Sequence, residues 1–550
     1  MIDLSLKELF KLHVDEYNLA SFVDSSLIKM VSRFVQSYSI KIKSSEIDIH
    51  SMILEIGGAE LLMSSDFCHW LYQILPDMTK FEITDQERKK LITGQNKMNR
   101  SFLKKFARLF PEYSELLNDN YEPHENREFL KVYPHTDIKP FDFDNSGEKV
   151  FLNLHFYQKN AKYELFKKLI FDNSSSALLQ LPTGAGKTKT ATEFLVDYLR
   201  ILDTSNYSRR KVVWVSHSSE LCQQSKNAFI SCWQYRGDRE LNIVEFFGSS
   251  SVKNLLEKDV NLDSVIFASF QKMYSQLQKS VVDFNAFFED TSFIVIYEAH
   301  ISTAPTYLEV LDKLQSYSSN SKLLGLTATP GRSKFVQEKD DSKFLAEIYS
   351  RNLVCLRDHN GHQLENPLAF LQELNYLAKL DFRTLEITSK ALKGQETESL
   401  LTNGERNLSI VLETKELLNT SRKVMLFAGG VQHARFLNSA FKYLNVDSAV
   451  IDSSMSKFKR TQLLDEFKNG DCELMINYGV LSTGVDVPKL EAVVIARPVT
   501  SIVLFSQIIG RALRGVKNGG REKNTILSLR DNVIGSPDFI YKYWEENWFN

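Results

Sequence analysis

The sequence is poor in cysteine, and the cysteines that it has are scattered. Five occur among 550 residues, and they form neither a Cys-x-x-Cys pair nor a group with histidine at the spacing of metal ligands. This pattern argues against a disulfide framework and against a structural zinc site. We interpret the cysteines as small buried hydrophobic residues of a protein in a reducing compartment.

Long apolar segments and a strong net charge are also absent. No apolar run reaches about 18 residues, and the N-terminus lacks a signal-peptide pattern, so we predict a cytoplasmic protein without a membrane span. The net charge is −2, so any surface that binds nucleic acid must be a local one. With 43% hydrophobic and 25% charged residues, the composition is typical of a globular protein with several cores.

Glycine is scarce in residues 1–140, where only Gly57, Gly58 and Gly94 occur. Apolar residues recur there at helical spacing, which predicts an all-helical accessory domain. A basic cluster between residues 85 and 110 fits either a solvated helix face or a contact with phosphates or a partner protein. Residues 118–150 are polar and contain three prolines, as expected of a linker.

From residue 151 onwards, short runs rich in Val and Ile alternate with helical patterns. This alternation predicts parallel sheets built from strand–helix–strand units. The predicted strands are Ala177–Leu181, Lys211–Ser216, Ser264–Ala268, Phe293–Ile296 and Lys322–Leu326, then Lys423–Phe427, Asp447–Ile451, Glu473–Asn477, Ala492–Ala496 and Thr525–Leu529. Two such sets in tandem indicate an α/β fold with lobes at 151–345 and 350–550, and the charged residues 331–350 suit a surface linker between them.

A glycine-containing loop carries the clearest chemical signal. The segment Leu179–Thr188 follows a predicted strand and opens a helix. It lacks the first glycine of the strict G-x-x-x-x-G-K-T pattern, but Gly184 and Gly186 still let backbone N–H groups turn around phosphate oxygens. Lys187 can reach the outer phosphates, and the Thr188 hydroxyl can coordinate Mg²⁺. The sequence therefore predicts a site for nucleotide phosphates.

A second apolar strand ends in Tyr297-Glu298-Ala299-His300. In nucleotide sites of this kind, an acid at the first position helps to hold the metal, and the following Glu polarises the attacking water. Glu298 is present, but Tyr297 is neutral, with an ordinary pKa of about 10, and offers a single hydroxyl. Either Tyr297, as a natural or an introduced change, impairs hydrolysis, which we favour, or the site works with a displaced metal.

Further motifs follow these two in order. Gly325–Pro330 follows a predicted strand, and its hydroxyls suit coupling between the lobes. Thr483–Pro488 follows a strand of the second half, and Gln507–Arg514 places Arg511 and Arg514 one helical turn apart on one face. Two arginines presented together suit a γ-phosphate that is reached from the opposite lobe.

Together these motifs resemble those of the superfamily-two helicases, in the DEAD/DEAH group that includes restriction-enzyme motor subunits and RadD-like and XPB-like translocases. The resemblance covers about residues 151–530. It implies two RecA-like lobes with ATP and Mg²⁺ between them, and a motor that acts on DNA, with RNA as an alternative. Closure of the lobes on ATP and their opening after hydrolysis would move the protein along a strand.

The resemblance also implies roles for particular residues. The catalytic set is Lys187, Glu298, Gln507, Arg511 and Arg514. The nucleotide-binding set is Phe156, Gln158, Thr183, Gly184, Ala185, Gly186, Lys187, Thr188 and Asp486, with Gln158 on the adenine and with Thr188 and Glu298 on the metal side. The nucleic-acid set, along the phosphate backbone of one strand, is Ser216, His217, Ser269, Gln271, Gly429 and Thr483.

Two alternatives to a self-sufficient motor stay open. Tyr297 suggests a scaffold that binds ATP and DNA without turnover. Residues 1–140 match no motif of the family, which suggests instead a motor subunit of a prokaryotic antiviral-defence or repair complex. In that case a partner protein, bound through residues 1–140, supplies the missing activity.

Overall fold

The computed structural model describes two α/β lobes and one helix near the N-terminus. The described residues are 25–42, 52, 56, 129–132, 154–201, 210–248, 263–317, 321–329, 339–357, 362–364, 366–385, 397–452, 454–455, 457–480, 487, 489–499 and 502–529. The predicted basic cluster at 85–110 lies outside them, and so do Thr483 and Asp486.

The first lobe is built on an eight-stranded sheet. Its strands are β1 (Phe129–Val132), β2 (Ser176–Gln180), β3 (Lys211–Ser216), β4 (Leu241–Phe246), β5 (Ser264–Ser269), β6 (Thr291–Tyr297), β7 (Lys322–Thr327) and β8 (Leu353–Val354). They lie in the order β1-β4-β5-β3-β6-β7-β2-β8. All neighbours pair in parallel except β1 and β4, which are antiparallel.

Helices cover both faces of this sheet. They are α2 (Phe156–Phe166), α3 (Lys187–Ile201), α4 (Ser219–Arg236), α5 (Phe270–Lys279), α6 (Val281–Phe288), α7 (Pro305–Gln315), α8 (Lys339–Ile348) and α9 (Pro367–Glu373). One apolar core forms on each face, because the central strands are buried on both sides.

The second lobe is built on a six-stranded sheet. Its strands are β9 (Lys379–Leu385), β10 (Val424–Phe427), β11 (Ser448–Asp452), β12 (Leu474–Tyr478), β13 (Ala492–Ile495) and β14 (Lys523–Leu529), in the order β11-β12-β10-β13-β14-β9. All its pairs are parallel. Its helices are α10 (Thr397–Leu401), α11 (Gly404–Leu418), α12 (Val431–Tyr443), α13 (Lys457–Asn469) and α14 (Ile502–Ile509).

The two parallel sheets confirm the predicted α/β fold class. Two linker predictions were wrong. Within the expected linker 118–150, residues Phe129–Val132 form the edge strand β1. Within the expected linker 331–350, α8 buries Leu345 and Ala346 in the core of the first lobe, and β8 then pairs with β2. The first sheet therefore continues beyond residue 345, where the sequence had placed the end of its lobe.

The N-terminal helix α1 (Ser25–Ile42) packs on the second lobe rather than on the first. The ring of Phe34 meets that of Phe436 edge to face, with 5.2 Å between centroids. Arg33 donates a hydrogen bond of 3.0 Å to the Thr402 hydroxyl. A side chain at Gly404 would lie only 2.2 Å from the Arg33 carbonyl oxygen. Close packing of α1 against α11 therefore makes this helix part of the core of the second lobe.

Candidate nucleotide and nucleic-acid site

The predicted motifs of the first lobe meet at one edge of its sheet. The strands β2, β3, β5, β6 and β7 end at Gln180, Ser216, Ser269, Tyr297 and Thr327. Because these strands are parallel, their carboxyl ends lie side by side, and this edge is where open α/β sheets bind ligands. The segments that follow each strand therefore assemble into one surface.

The loop after β2 has the backbone geometry of a phosphate cradle. Gly184 and Gly186 have φ angles of +82° and +83°, which residues with a side chain rarely adopt. Lys187 opens α3 and donates to the Leu181 carbonyl at 3.3 Å, so its ammonium group folds back over the loop. Burial lowers the pKa of Lys187, while the charge of Glu298 opposes this effect. An anion with several negative oxygens would suit this loop and helix terminus.

Two side chains of α2 brace the phosphate loop. The Tyr157 hydroxyl and the Gln158 amide Nε2 both donate to the Ala185 carbonyl, each at 3.0 Å. Gln158 also accepts from the His155 backbone N–H at 2.9 Å, which ties the start of α2 to the same side chain. A Cβ at Gly186 would lie 2.2 Å from Gln158 Nε2. The structure thus places Gln158 against the loop, and the predicted adenine contact would add to this bracing role.

Tyr297 fills the position where the family carries an acid. The Thr188 hydroxyl donates to the Tyr297 oxygen at 3.4 Å. Burial raises the pKa of Tyr297 to about 12, helped by the charge of Glu298, so the phenol is neutral. A neutral phenol and a hydroxyl make a poor donor set for Mg²⁺, which prefers carboxylate and phosphate oxygens. Within the described residues, no group of three or more acidic, His or Cys side chains could hold a metal ion.

Glu298 is held in a strained conformation by its neighbours. Its φ and ψ of 57° and 55° are left-handed, which is uncommon for a residue with a side chain and often marks a functional position. The Glu298 carboxylate lies 3.4 Å from His300 Nδ1, which is 3.3 Å from the Thr327 hydroxyl. Thr327 in turn accepts from the Thr329 backbone N–H at 3.0 Å. This chain connects the end of β6 with the segment after β7.

The second lobe touches the phosphate loop through Gly510. A Cβ at Gly510 would lie 2.1 Å from the Thr183 methyl carbon, so only glycine allows this approach. Arg511 follows at once, in the 3-10 turn Gly510–Ala512. Burial lowers the pKa of Lys187 and raises that of Tyr297, and the positive charge of Arg511 acts to lower the pKa of both groups. The structure therefore brings a cation of the second lobe to the nucleotide site of the first.

The sequence predicted that Arg511 and Arg514 share one helix face, and this prediction was wrong. Helix α14, which includes Gln507, ends at Ile509. Arg514 lies beyond the 3-10 turn, where it forms an antiparallel bridge with Leu377 and donates through Nε to the Asn518 carbonyl. The helix ends one residue before Gly510, which approaches the phosphate loop, and Gly510–Ala512 then form a 3-10 turn.

Comparisons with known proteins agree with this arrangement. Residues 151–332 match the family described as "Type III restriction enzyme, res subunit", and residues 406–516 match the "Helicase conserved C-terminal domain". These two matches support a superfamily-two helicase of the restriction-enzyme-motor type.

Several individual relatives share this helicase region. IRC3 of Saccharomyces cerevisiae, which carries the name of an ATP-dependent helicase, is 26% identical over 46% of this chain and 36% of its own length. The 51.5 kDa protein of a Lactococcus phage is 24% identical over 68% of this chain and 70% of its own. The ATP-dependent DNA helicase uvsW of Enterobacteria phage T4 is 22% identical over 70% of this chain and 69% of its own. The chain thus spans about a third of IRC3 and about two thirds of the two phage proteins.

The predicted nucleic-acid residues differ in their exposure. Ser216 and Ser269 are buried at the ends of β3 and β5, where they stand opposite each other in register. Gln271 is exposed on the first turn of α5, and His217 is half-buried, with a pKa lowered by burial. Gly429 follows β10 in the second lobe, and its N–H donates to His433 Nδ1 at 3.0 Å. Gln271 is thus the one exposed side chain among the described members of this set.

Sequence reasoning missed an aromatic group that connects the two lobes beside the phosphate loop. Phe156, predicted to lie beside the base, is 39% exposed, and its ring centroid is 6.1 Å from that of Tyr376. His155 Nε2 lies 2.9 Å from the Asn518 side-chain oxygen, and Asn518 also donates to the Tyr376 carbonyl at 2.8 Å. Lys517 lies 4.5 Å from the centre of the Tyr376 ring. The sequence offered no signal for these pairs, because their partners are more than a hundred residues apart.

The structure contains no helix suited to a membrane within its described residues. Each helix there is too short or too polar to cross a bilayer.

Proposed function

We propose that this protein is an ATP-dependent helicase or translocase that acts on DNA, and that Tyr297 slows its hydrolysis step. The observation that carries the proposal is the contact between Gly510 and Thr183, which brings Arg511 of the second lobe to the phosphate loop of the first. A nucleotide held there would touch both lobes, so its binding and release could drive their closure and opening. DNA is favoured because several relatives, such as uvsW, are named as DNA helicases.

In this proposal each residue of the site has a defined task. ATP supplies the γ-phosphoryl group whose transfer to water drives the cycle. The N–H groups around Gly184 and Gly186 bind its phosphate oxygens, and Lys187 balances their charge. Glu298 orients the attacking water, and Arg511 stabilises the charge that develops on the γ-phosphate.

The path from Glu298 through His300 to Thr327 connects the residue proposed to orient the attacking water with the segment proposed to couple hydrolysis to movement of the lobes. Each side chain along this path lies within 3.4 Å of the next. Thr327 ends β7, and the segment after it resembles the motif that couples hydrolysis to movement of the lobes. A change in the hydrogen bonding of Glu298 can thus alter the contacts of Thr327 at the end of β7.

A DNA-stimulated ATPase assay tests the motor. We expect the protein with Tyr297→Asp to release phosphate from ATP faster when DNA is added, because the substitution restores the acid that the family carries at this position. The double variant Tyr297→Asp with Lys187→Ala is the matched control and should be inactive. Absence of DNA-stimulated turnover in the Tyr297→Asp protein, with its fold intact, would overturn the proposal.

A second candidate function is a scaffold that binds ATP and DNA without turnover. The hydrogen bond between Thr188 and Tyr297 favours it, because this contact engages the hydroxyl that active relatives are expected to use for the metal. Its signature is DNA binding that depends on nucleotide and proceeds without phosphate release. Robust hydrolysis by the unsubstituted chain would exclude it.

A further inference from the structure

The pair Thr188 and Tyr297 occupies the metal side of the phosphate loop. The Thr188 hydroxyl, on the first turn of α3, donates to the Tyr297 oxygen at 3.4 Å. The Tyr297 ring packs on the apolar core of the first lobe, so the phenol is fixed in place. A tyrosine hydroxyl both accepts and donates. Since its oxygen accepts from Thr188, its own proton is directed to another acceptor, such as an oxygen of a bound phosphate.

Glu298 does not replace the missing carboxylate. Its Oε2 lies 3.4 Å from His300 Nδ1, and this contact draws it toward the segment after β7 rather than toward Thr188. Its left-handed backbone is fixed by the 3-10 turn Ala299–Ile301 that follows. Thr188 therefore has a phenol beside it where the metal side of such a site would need an anionic oxygen.

Positive charge of the protein is already concentrated at the loop. Lys187 of the first lobe opens α3 directly after the loop, and Arg511 of the second lobe follows Gly510, where a Cβ would lie 2.1 Å from the Thr183 methyl carbon. Helix α3, fifteen residues long, adds the partial positive charge of its N-terminus. These positive charges lie near the phosphate loop, and we expect them to balance part of the charge of a polyphosphate without a divalent cation.

We propose that this site binds nucleoside polyphosphate in its metal-free form, with the Tyr297 hydroxyl donating to a phosphate oxygen where relatives place Mg²⁺. The inference rests on the proposed function, since it concerns the same nucleotide site. Tyr297 would then select the metal-free nucleotide over the Mg²⁺-bound one. Hydrolysis would be slow because the ion that activates the phosphate is not bound.

The test measures the dissociation constant of a fluorescent ATP analogue in excess EDTA and in excess MgCl₂. The unsubstituted protein should bind in EDTA, and Mg²⁺ should change its affinity by less than about threefold. Tyr297→Phe keeps the ring and removes the hydroxyl, so its affinity in EDTA should fall about two- to tenfold. Tyr297→Asp should lose about tenfold or more in EDTA, because its carboxylate repels the phosphates, and should recover when Mg²⁺ is added.

The outcomes separate this inference from the proposed function. An affinity of the unsubstituted protein that rises by more than about threefold with Mg²⁺ would overturn the inference alone. Equal affinities of the Tyr297→Phe and unsubstituted proteins in EDTA would overturn it too, and this arm does not depend on the fold of Tyr297→Asp. Absence of binding in both buffers, with Lys187→Ala behaving identically, would overturn the nucleotide site itself and hence the proposed function.

Discussion

Replacing Gly510 with alanine should force the two lobes apart at the nucleotide site. The new Cβ would lie 2.1 Å from the Thr183 methyl carbon and 2.6 Å from the Thr183 Cβ. Carbon atoms in contact are normally about 3.5–4.0 Å apart, so a gap of about 1.4 Å or more must open. Gly510 does not have a left-handed φ, so the cost of the substitution comes from this contact and not from the backbone.

The size of the effect follows from the cost of overpacking. Adding a methyl group to a tightly packed contact costs about 1–3 kcal/mol. If the closed arrangement binds the nucleotide, this cost lowers its population, and thus the apparent affinity, by about 5- to 150-fold. Gly430→Ala in the same lobe is the matched control, because a Cβ at Gly430 meets nothing within 4 Å and its φ of −172° suits any residue.

The assay is a titration with a fluorescent nucleotide, extended to a double-mutant cycle. Thr183→Ser removes the nearer of the two clashing carbons, so the pair Gly510→Ala with Thr183→Ser should recover part of the lost affinity. An affinity of Gly510→Ala within twofold of the unsubstituted protein would refute the role of this contact. So would a double variant that binds no better than Gly510→Ala alone.

Three further variants test other parts of the structure. Gly186→Ala should weaken nucleotide binding by about tenfold or more in the same titration, and removal of the Gln158 side chain that it meets should not rescue it, because the left-handed φ remains strained. Burial lowers the pKa of His433 to about 3, so the folded protein keeps it neutral, whereas the unfolded chain takes up a proton below its ordinary pKa of about 6.5. The free energy of unfolding is therefore highest above about pH 6.5 and decreases as the pH falls toward the folded pKa, by about 2 kcal/mol at about pH 5. Urea unfolding at about pH 7 and pH 5 should show this loss. The variant His433→Gln, which can donate and accept hydrogen bonds at the same places, should lack it. Arg460→Ala removes a 2.9 Å ion pair with Glu220 across the lobes, and because both side chains are partly exposed, nucleotide affinity should fall by no more than about 1 kcal/mol, with a smaller loss at high salt.

Most strands could be predicted because buried strands appear in the sequence as continuous apolar runs. The central strands are runs of Val, Ile and Leu, and β3 has the bounds that the sequence gives it. Strand β4 was missed because Asn242 and Glu245 interrupt its apolar run. Strand β9 was missed because it lies at the edge of the second sheet and is largely exposed, so it lacks the continuous apolar run of the central strands.

The candidate site was predictable in part for a similar reason. Residues that follow parallel strands must meet at the carboxyl edge of a sheet, so the neighbourhood of Lys187, Thr188, Tyr297 and Glu298 follows from topology. Contacts between the lobes do not follow in this way. The approach of Gly510 to the phosphate loop depends on how two separate sheets pack, and no local pattern encodes it.

The same limit applies to α1. Its apolar spacing predicts a helix but does not name the surface that the helix covers. Arg33 and Thr402 are 369 positions apart in the chain, and the glycine that makes room for the helix, Gly404, looks in the sequence like any turn residue.

Displacement of the third strand from a DNA triplex is the decisive measurement for the proposed motor, because it reports movement along DNA whether or not the duplex is opened. We expect ATP-dependent displacement by the Tyr297→Asp protein, none after the further change Lys187→Ala, and a rate for the unsubstituted chain that is lower by about tenfold or more. Failure of the folded Tyr297→Asp protein to displace the strand, or an equal rate for the unsubstituted chain, would refute the proposed motor.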